Sequence, residues 1–133
     1  MQALGKHLII ELYECDKALL DDTITIEETM VRAAQKSGAH VLGSKFHHFN
    51  PIGVSGVVVI AESHLAIHTW PEYDFASIDI YTCGEDVDPW VAYRALVEGF
   101  KSQKPTVIEM KRGLLDIPLE EFSTYVGEKA HAK

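Results

Sequence analysis

The chain has 133 residues, 47% of them hydrophobic, and a formal charge of -8. That length supports one core rather than two ordinary domains, so residues 1–133 are expected to form a single domain. The acidic balance argues against a nucleic-acid partner, whose phosphates demand many Lys and Arg contacts, and suits a small cationic substrate better. The longest unbroken aliphatic run, Val57 to Ala61, is far short of a membrane span, and no signal-peptide pattern precedes the first strand. The expected setting is the cytoplasm, where two cysteines, Cys15 and Cys83, stay reduced and at least one is free for chemistry.

In chain order, His7 to Cys15 alternates apolar and mixed positions as a strand does, with Leu8, Ile10 and Leu12 on one face. Asp21 and Asp22 open a turn. Thr25 and Glu28 have capping-box spacing, and Ile26, Met30, Ala33 and Ser37 form one helical stripe ending at Gly38. His40 to Phe49 predicts a second strand, interrupted by Pro51 and Gly53, and Val54 to Ile60 a third. The third strand has apolar residues at consecutive positions, so both of its faces call for cover, from helices on one side and from a second copy or a substrate cleft on the other.

A two-residue tip at Ala61 and Glu62 fixes the next pairing: Ile60 opposite Ser63, Val59 opposite His64, Ser55 opposite His68. Alternation sends Ser63 and His68 to opposite faces, so any action of His68 on Ser63 requires a bend or bulge at Ser63 to His64. Pro71 to Asp74 is a turn. Phe75 to Cys83 is a strand that places Cys83 with Ser77, Asp79 and Tyr81 rather than with the apolar set. Asp88 and Pro89 start a second helix running to Phe100, and Pro105 to Met110 is a last strand, with irregular structure expected after Gly113. The order predicts an α+β fold, a two-layer α/β sandwich with helices on one face of an antiparallel sheet.

The chemistry centres on Glu62-Ser63. A serine hydroxyl set against the preceding carbonyl can convert the amide to an ester, and loss of the serine Cα proton then cuts the chain, leaving dehydroalanine and, after loss of ammonia, a pyruvoyl ketone. By itself a Glu-Ser dipeptide between strands is an ordinary polar hairpin tip. Its surroundings are more specific: ESHLAIHTWPE followed by IYTCGEDVDPW, with LGKHLIIELYECD near the start. These motifs resemble the prokaryotic S-adenosylmethionine decarboxylases, short pyruvoyl-dependent enzymes of polyamine synthesis, over most of the chain as far as about Trp90, and the likeness weakens after Arg112.

The resemblance implies autocatalytic serinolysis at Glu62-Ser63 of a proenzyme, giving a beta chain 1–62 and an alpha chain 63–133 that both stay in the fold. It implies a covalent pyruvoyl cofactor derived from Ser63, which forms a Schiff base with S-adenosylmethionine, and decarboxylation to the aminopropyl donor of spermidine biosynthesis. It assigns His68 as proton acceptor in processing, where imidazole is suited to act near neutrality. Ser55 is its support and Cys83 the proton donor that protonates the substrate carbon rather than the cofactor. Phe49 is implied to stack on adenine and Glu72 to accept hydrogen bonds from the ribose hydroxyls. A protomer of this fold is implied to pair face to face into a homodimer. Asp74 stands where family members have a small residue. His64, His68 and Glu72 have a spacing that would converge on a helix but not on a strand, so no metal is expected. Two rivals stay open: a decarboxylase of the same scaffold acting on arginine or ornithine, and a non-enzymatic dimeric module that binds a small ligand.

Overall fold

A computed structural model describes residues 2–115. Six strands, β1 (Gln2–Tyr13), β2 (Val41–His48), β3 (Val54–Ile60), β4 (Ser63–Trp70), β5 (Phe75–Cys83) and β6 (Lys104–Leu115), form one sheet in the order β2-β3-β4-β5-β1-β6 with antiparallel pairing throughout. Two helices, α1 (Thr23–Lys36) and α2 (Pro89–Gly99), pack on one face. The expected α+β sandwich is therefore the observed one. No helix of the described residues is long and apolar enough to cross a membrane.

The core lies between sheet and helices because strand alternation and helical periodicity deliver apolar side chains to the same layer. Leu8, Ile10 and Leu12 of β1, Val58 and Ile60 of β3, Leu65 and Ile67 of β4 and Ile78 and Ile80 of β5 meet Ile26, Met30 and Ala33 of α1 and Leu96 of α2, with Phe100 just beyond it. Among the described residues nothing covers the opposite face. It leaves Val59 of β3 43% exposed and Ile108 and Met110 of β6 66% and 53% exposed.

Several boundaries differ from the sequence expectation. The cap of α1 is Asp22, whose side chain accepts from the Thr25 N–H, rather than a Thr25-Glu28 box. A short 3-10 helix at Lys17–Leu20, capped by Asp16, precedes it. β1 begins earlier and β6 runs further than their own patterns suggested, because each completes the other: they pair from Gln2 with Leu115 to Tyr13 with Lys104. Gly113, with φ of 65°, sits inside β6 rather than ending it. The expectation for the tail beyond Leu115 falls outside the described residues.

Candidate active site

The β3–β4 hairpin turns on Ala61 and Glu62, and its register is the one read from the sequence: Ile60 with Ser63, Val59 with His64, Ser55 with His68. No register shift interrupts it, so there is no bulge. The distortion is confined to the backbone of Ser63, whose φ is 135°, a value that side-chain-bearing residues rarely adopt and that costs on the order of 1–3 kcal/mol. With that φ the ordinary pleat no longer dictates the direction of the Ser63 side chain.

Glu62, only 4% exposed, is held at both ends. Its carbonyl oxygen accepts the Cys83 N–H at 2.8 Å. Its carboxylate accepts the His40 N–H at 3.0 Å on one oxygen and the His40 Nδ1–H at 2.7 Å on the other. The peptide that follows thus has a fixed, polarised carbonyl on one side and a strained serine on the other. Such an arrangement primes a carbonyl for attack by a neighbouring hydroxyl.

Cys83 closes β5 opposite Gly5 of β1 and is 4% exposed despite its place on the open face. Tyr81, two residues before it, anchors a stack. The His7 ring lies 5.4 Å from the Tyr81 ring at 12°, and the Arg112 guanidinium stands 5.0 Å from its centroid. Arg112 donates to His7 Nδ1 at 3.1 Å, which leaves Nε2 to donate to Asp79 at 2.8 Å. Cys15 is a different kind of thiol. Burial pushes its pKa up to about 11, and its Sγ–H points at the Leu12 carbonyl, so it belongs to the packing.

The remaining candidates cluster elsewhere. Ser55 Oγ and His68 Nδ1 are 2.7 Å apart across β3 and β4 on the open face. His68 lies five positions along β4 from Ser63, about 16 Å away at the rise of a strand. Phe49, 47% exposed, follows β2, with its ring edge against His47 at a centroid distance of 4.7 Å. Its loop is tied down where Asp21 accepts from the Gly53 N–H and from His48, both at 2.9 Å. The hydrogen bond from Gly53 is the main cause of the lowered Asp21 pKa. Glu72 is exposed in the short helix Pro71–Tyr73, beyond Trp70 at the end of β4. The chain therefore brings together Glu62, Ser63 and Cys83 at one end of the sheet, and Ser55, His68, Phe49 and Glu72 towards the other.

Residues 6–113 match the family model described as S-adenosylmethionine decarboxylase. The chain belongs to that family. Among its curated relatives, the S-adenosylmethionine decarboxylase proenzyme of Thermotoga petrophila is 56% identical over 116 residues, 87% of this chain and 89% of the relative. That of Caldicellulosiruptor saccharolyticus is 53% identical over 120 residues, 90% and 97% of the two chains. The solved adenosylmethionine decarboxylase of Aquifex aeolicus superposes with a TM-score of 0.77 at 34% identity, covering 87% of this chain and 96% of that one. The protein is accordingly an enzyme of the S-adenosylmethionine decarboxylase family.

Two features of this decarboxylase escaped the sequence reading. The His7–Asp79–Arg112–Tyr81 stack joins three strands distant in the chain, and only the polar alternation of β5 hinted that Asp79 and Tyr81 share a surface. His40 looked like the first residue of a strand. Nothing in its neighbours signals a contact with a residue 22 positions away.

Proposed function

We propose that the chain is a proenzyme that cuts itself between Glu62 and Ser63 and then decarboxylates S-adenosylmethionine with the carbonyl so formed. The observation that carries this reading is the Glu62-Ser63 peptide itself, with its carbonyl bonded to the Cys83 N–H and φ of 135° at Ser63. Ser63 Oγ attacks the Glu62 carbonyl carbon, and the Cys83 N–H stabilises the negative charge that develops on oxygen. The amide C–N bond breaks as a proton reaches nitrogen, leaving an ester and relieving the strained backbone. Removal of the Ser63 Cα proton expels the Glu62 carboxylate, and the resulting dehydroalanine takes up water and releases ammonia. The products are residues 1–62 ending in a carboxylate and 63–133 beginning with a pyruvoyl group.

The residues present suit that group: its source, Ser63, follows a carbonyl with a fixed backbone donor, and Cys83 offers a sheltered thiol next to that donor. A pyruvoyl ketone supplies an electron sink for the pair released as carbon dioxide leaves a bound amino acid. The Cys83 thiol delivers the proton to the substrate carbon. Phe49 offers an exposed ring for the adenine and Glu72 a carboxylate for the ribose hydroxyls, which favours S-adenosylmethionine over arginine or ornithine. The product is the aminopropyl donor for spermidine. Both thiols are free, in keeping with a reducing cytoplasm.

Separation within the protomer leads to a homodimer. His68 cannot reach Ser63 of its own chain across about 16 Å of strand. A two-fold axis that sets the open faces together with strand directions reversed brings the Ser55–His68 pair, Phe49 and Glu72 of one copy to Ser63 and Cys83 of the other. Such a contact also covers Val59, Ile108 and Met110.

The test is mass analysis of the purified chain under denaturing conditions, followed by carbon dioxide release from carboxyl-labelled S-adenosylmethionine, arginine and ornithine. The reading expects two fragments divided after Glu62, a blocked start on the second, an uncut Ser63→Ala variant and release from S-adenosylmethionine alone. An active, uncut chain with an unmodified Ser63 overturns it.

A further inference from the structure

We propose that His40 is a positioning residue for the cleavage at Glu62-Ser63, holding the Glu62 side chain so that the carbonyl attacked by Ser63 keeps its orientation. The inference rests on the self-cleavage proposed above and adds a residue to it.

Three hydrogen bonds link His40 to the hairpin tip. The His40 carbonyl accepts the Ala61 N–H at 2.9 Å, its own N–H donates to Glu62 Oε1 at 3.0 Å, and Nδ1 donates to Oε2 at 2.7 Å. Only the last needs an imidazole. The His40 backbone is in turn anchored. Ala39 N–H bonds to the Ala34 carbonyl at the end of α1, and the neighbouring Ser37 carbonyl accepts the Asp88 N–H. The tip is therefore fastened to the helix layer through His40, and the Glu62 carbonyl is fastened to β5 through Cys83. With both attachments the Glu62 backbone has little freedom to rotate its carbonyl away from Ser63.

The pair is also electrostatic. The Glu62 side chain is 5% exposed and the His40 side chain 66% exposed, so the imidazole is the solvent-facing partner of a buried carboxylate. Attack by Ser63 builds negative charge on the carbonyl of the residue that carries this carboxylate. A protonated His40 offsets the existing charge, whereas a neutral one leaves two negative charges close together. The charged groups acting on His40 are Glu62 at the hairpin tip and Asp86 in the β5–α2 loop, and both favour the imidazolium. Its pKa is raised, first by the hydrogen bond to Glu62 and then by that charge. Its contribution is accordingly complete at acid pH and disappears as pH rises through the elevated pKa. A base that must be neutral gives the opposite limb at low pH.

The experiment follows first-order cleavage of freshly refolded proenzyme on denaturing gels from pH 5.5 to pH 9.5, for wild type, His40→Ala and His40→Asn. Asparagine places an amide N–H close to the position of Nδ1 without a charge. We expect His40→Ala to cleave on the order of tenfold more slowly or worse, as a loosened reacting geometry does. His40→Asn should recover most of the wild-type rate at the alkaline end of the range, above the raised pKa of His40, and should lack the decline that wild type shows towards alkaline pH. Circular dichroism of the uncut chains checks that all three are folded. If His40→Ala cleaves at the wild-type rate, or if His40→Asn keeps the alkaline decline, the role of His40 is wrong while self-cleavage stands. A wild-type chain that never cleaves overturns both.

Discussion

In the proposed reaction Cys83 contributes two groups with separable duties. Its backbone N–H holds the Glu62 carbonyl, and any residue at position 83 except proline offers that donor. Its thiol, at a position 4% exposed, is sheltered from water, as the proposed proton donor needs to be. Replacing Cys83 with Ala should consequently leave cleavage of the chain close to the wild-type rate while lowering decarboxylation on the order of 100-fold, the usual contribution of a placed acid. Without the thiol, protons also reach the wrong carbon, so the variant should convert its pyruvoyl terminus to alanine with turnover, visible as a mass change of the fragment 63–133. Equal loss of cleavage and turnover would show that the two duties are not separable. Cys15, with a pKa raised to about 11 and its Sγ–H turned to Leu12, has no such part to play.

At the scale of elements, the β3–β4 hairpin does most to position the site, and here a glycine makes room for a neighbouring ring. Gly56 of β3 pairs with Phe46 of β2, and a Cβ built on Gly56 would come within 2.0–2.5 Å of three atoms of the Phe46 ring. The ring lies over bare backbone, so the flat contact lets β2 approach without a gap. Gly56→Ala should force the ring aside and destabilise the fold by about 1–3 kcal/mol, the range of overpacked cores, measured as a lower midpoint of urea unfolding with the Ser63→Ala proenzyme as background. Unchanged stability would mean that the Phe46 ring has room to move. The register of this hairpin was legible from sequence because a two-residue tip leaves no slack: once Ala61 and Glu62 turn the chain, every later pair follows. The ends of β1 and β6 were not legible, since their length comes from pairing each other across the whole chain rather than from local pattern. The same applies to the site. Ser55 beside His68 follows from register alone, whereas the hold of His40 on Glu62 arises where the α1–β2 junction meets a hairpin tip, and local pattern carries no trace of it. The bulge expected at Ser63 to His64 is absent, and the φ of Ser63 was not legible, because alternation states where a side chain points but not how the backbone departs from it.

For the molecule as a whole, the decisive quantity is the length of β4. The strand is eight residues long, with Ser63 at one end and Trp70 at the other, so its ends stand about 23 Å apart. In the proposed reaction a substrate held by Phe49 and Glu72 of one chain therefore meets Ser63 of another. Two kinds of assembly differ in what they predict for mixed chains. If each protomer carries a whole site, co-expressed Ser63→Ala and His68→Ala chains yield no cleavage, because one lacks the nucleophile and the other the base. If the site is shared across the open faces, a mixed dimer contains one complete set, with Ser63 from the His68→Ala chain and His68 from the Ser63→Ala chain. That set should cut the His68→Ala chain and leave the Ser63→Ala chain intact. Distinct affinity tags on the two chains allow the mixed dimer to be purified and its fragments assigned, with each variant expressed alone as the uncut control. Cleavage of the His68→Ala chain only when its partner is present places the imidazole on the other copy. Cleavage of that chain when expressed alone would instead show that His68 is dispensable for processing. Failure of the two tags to co-purify would mean that the exposed Val59, Ile108 and Met110 have another occupant.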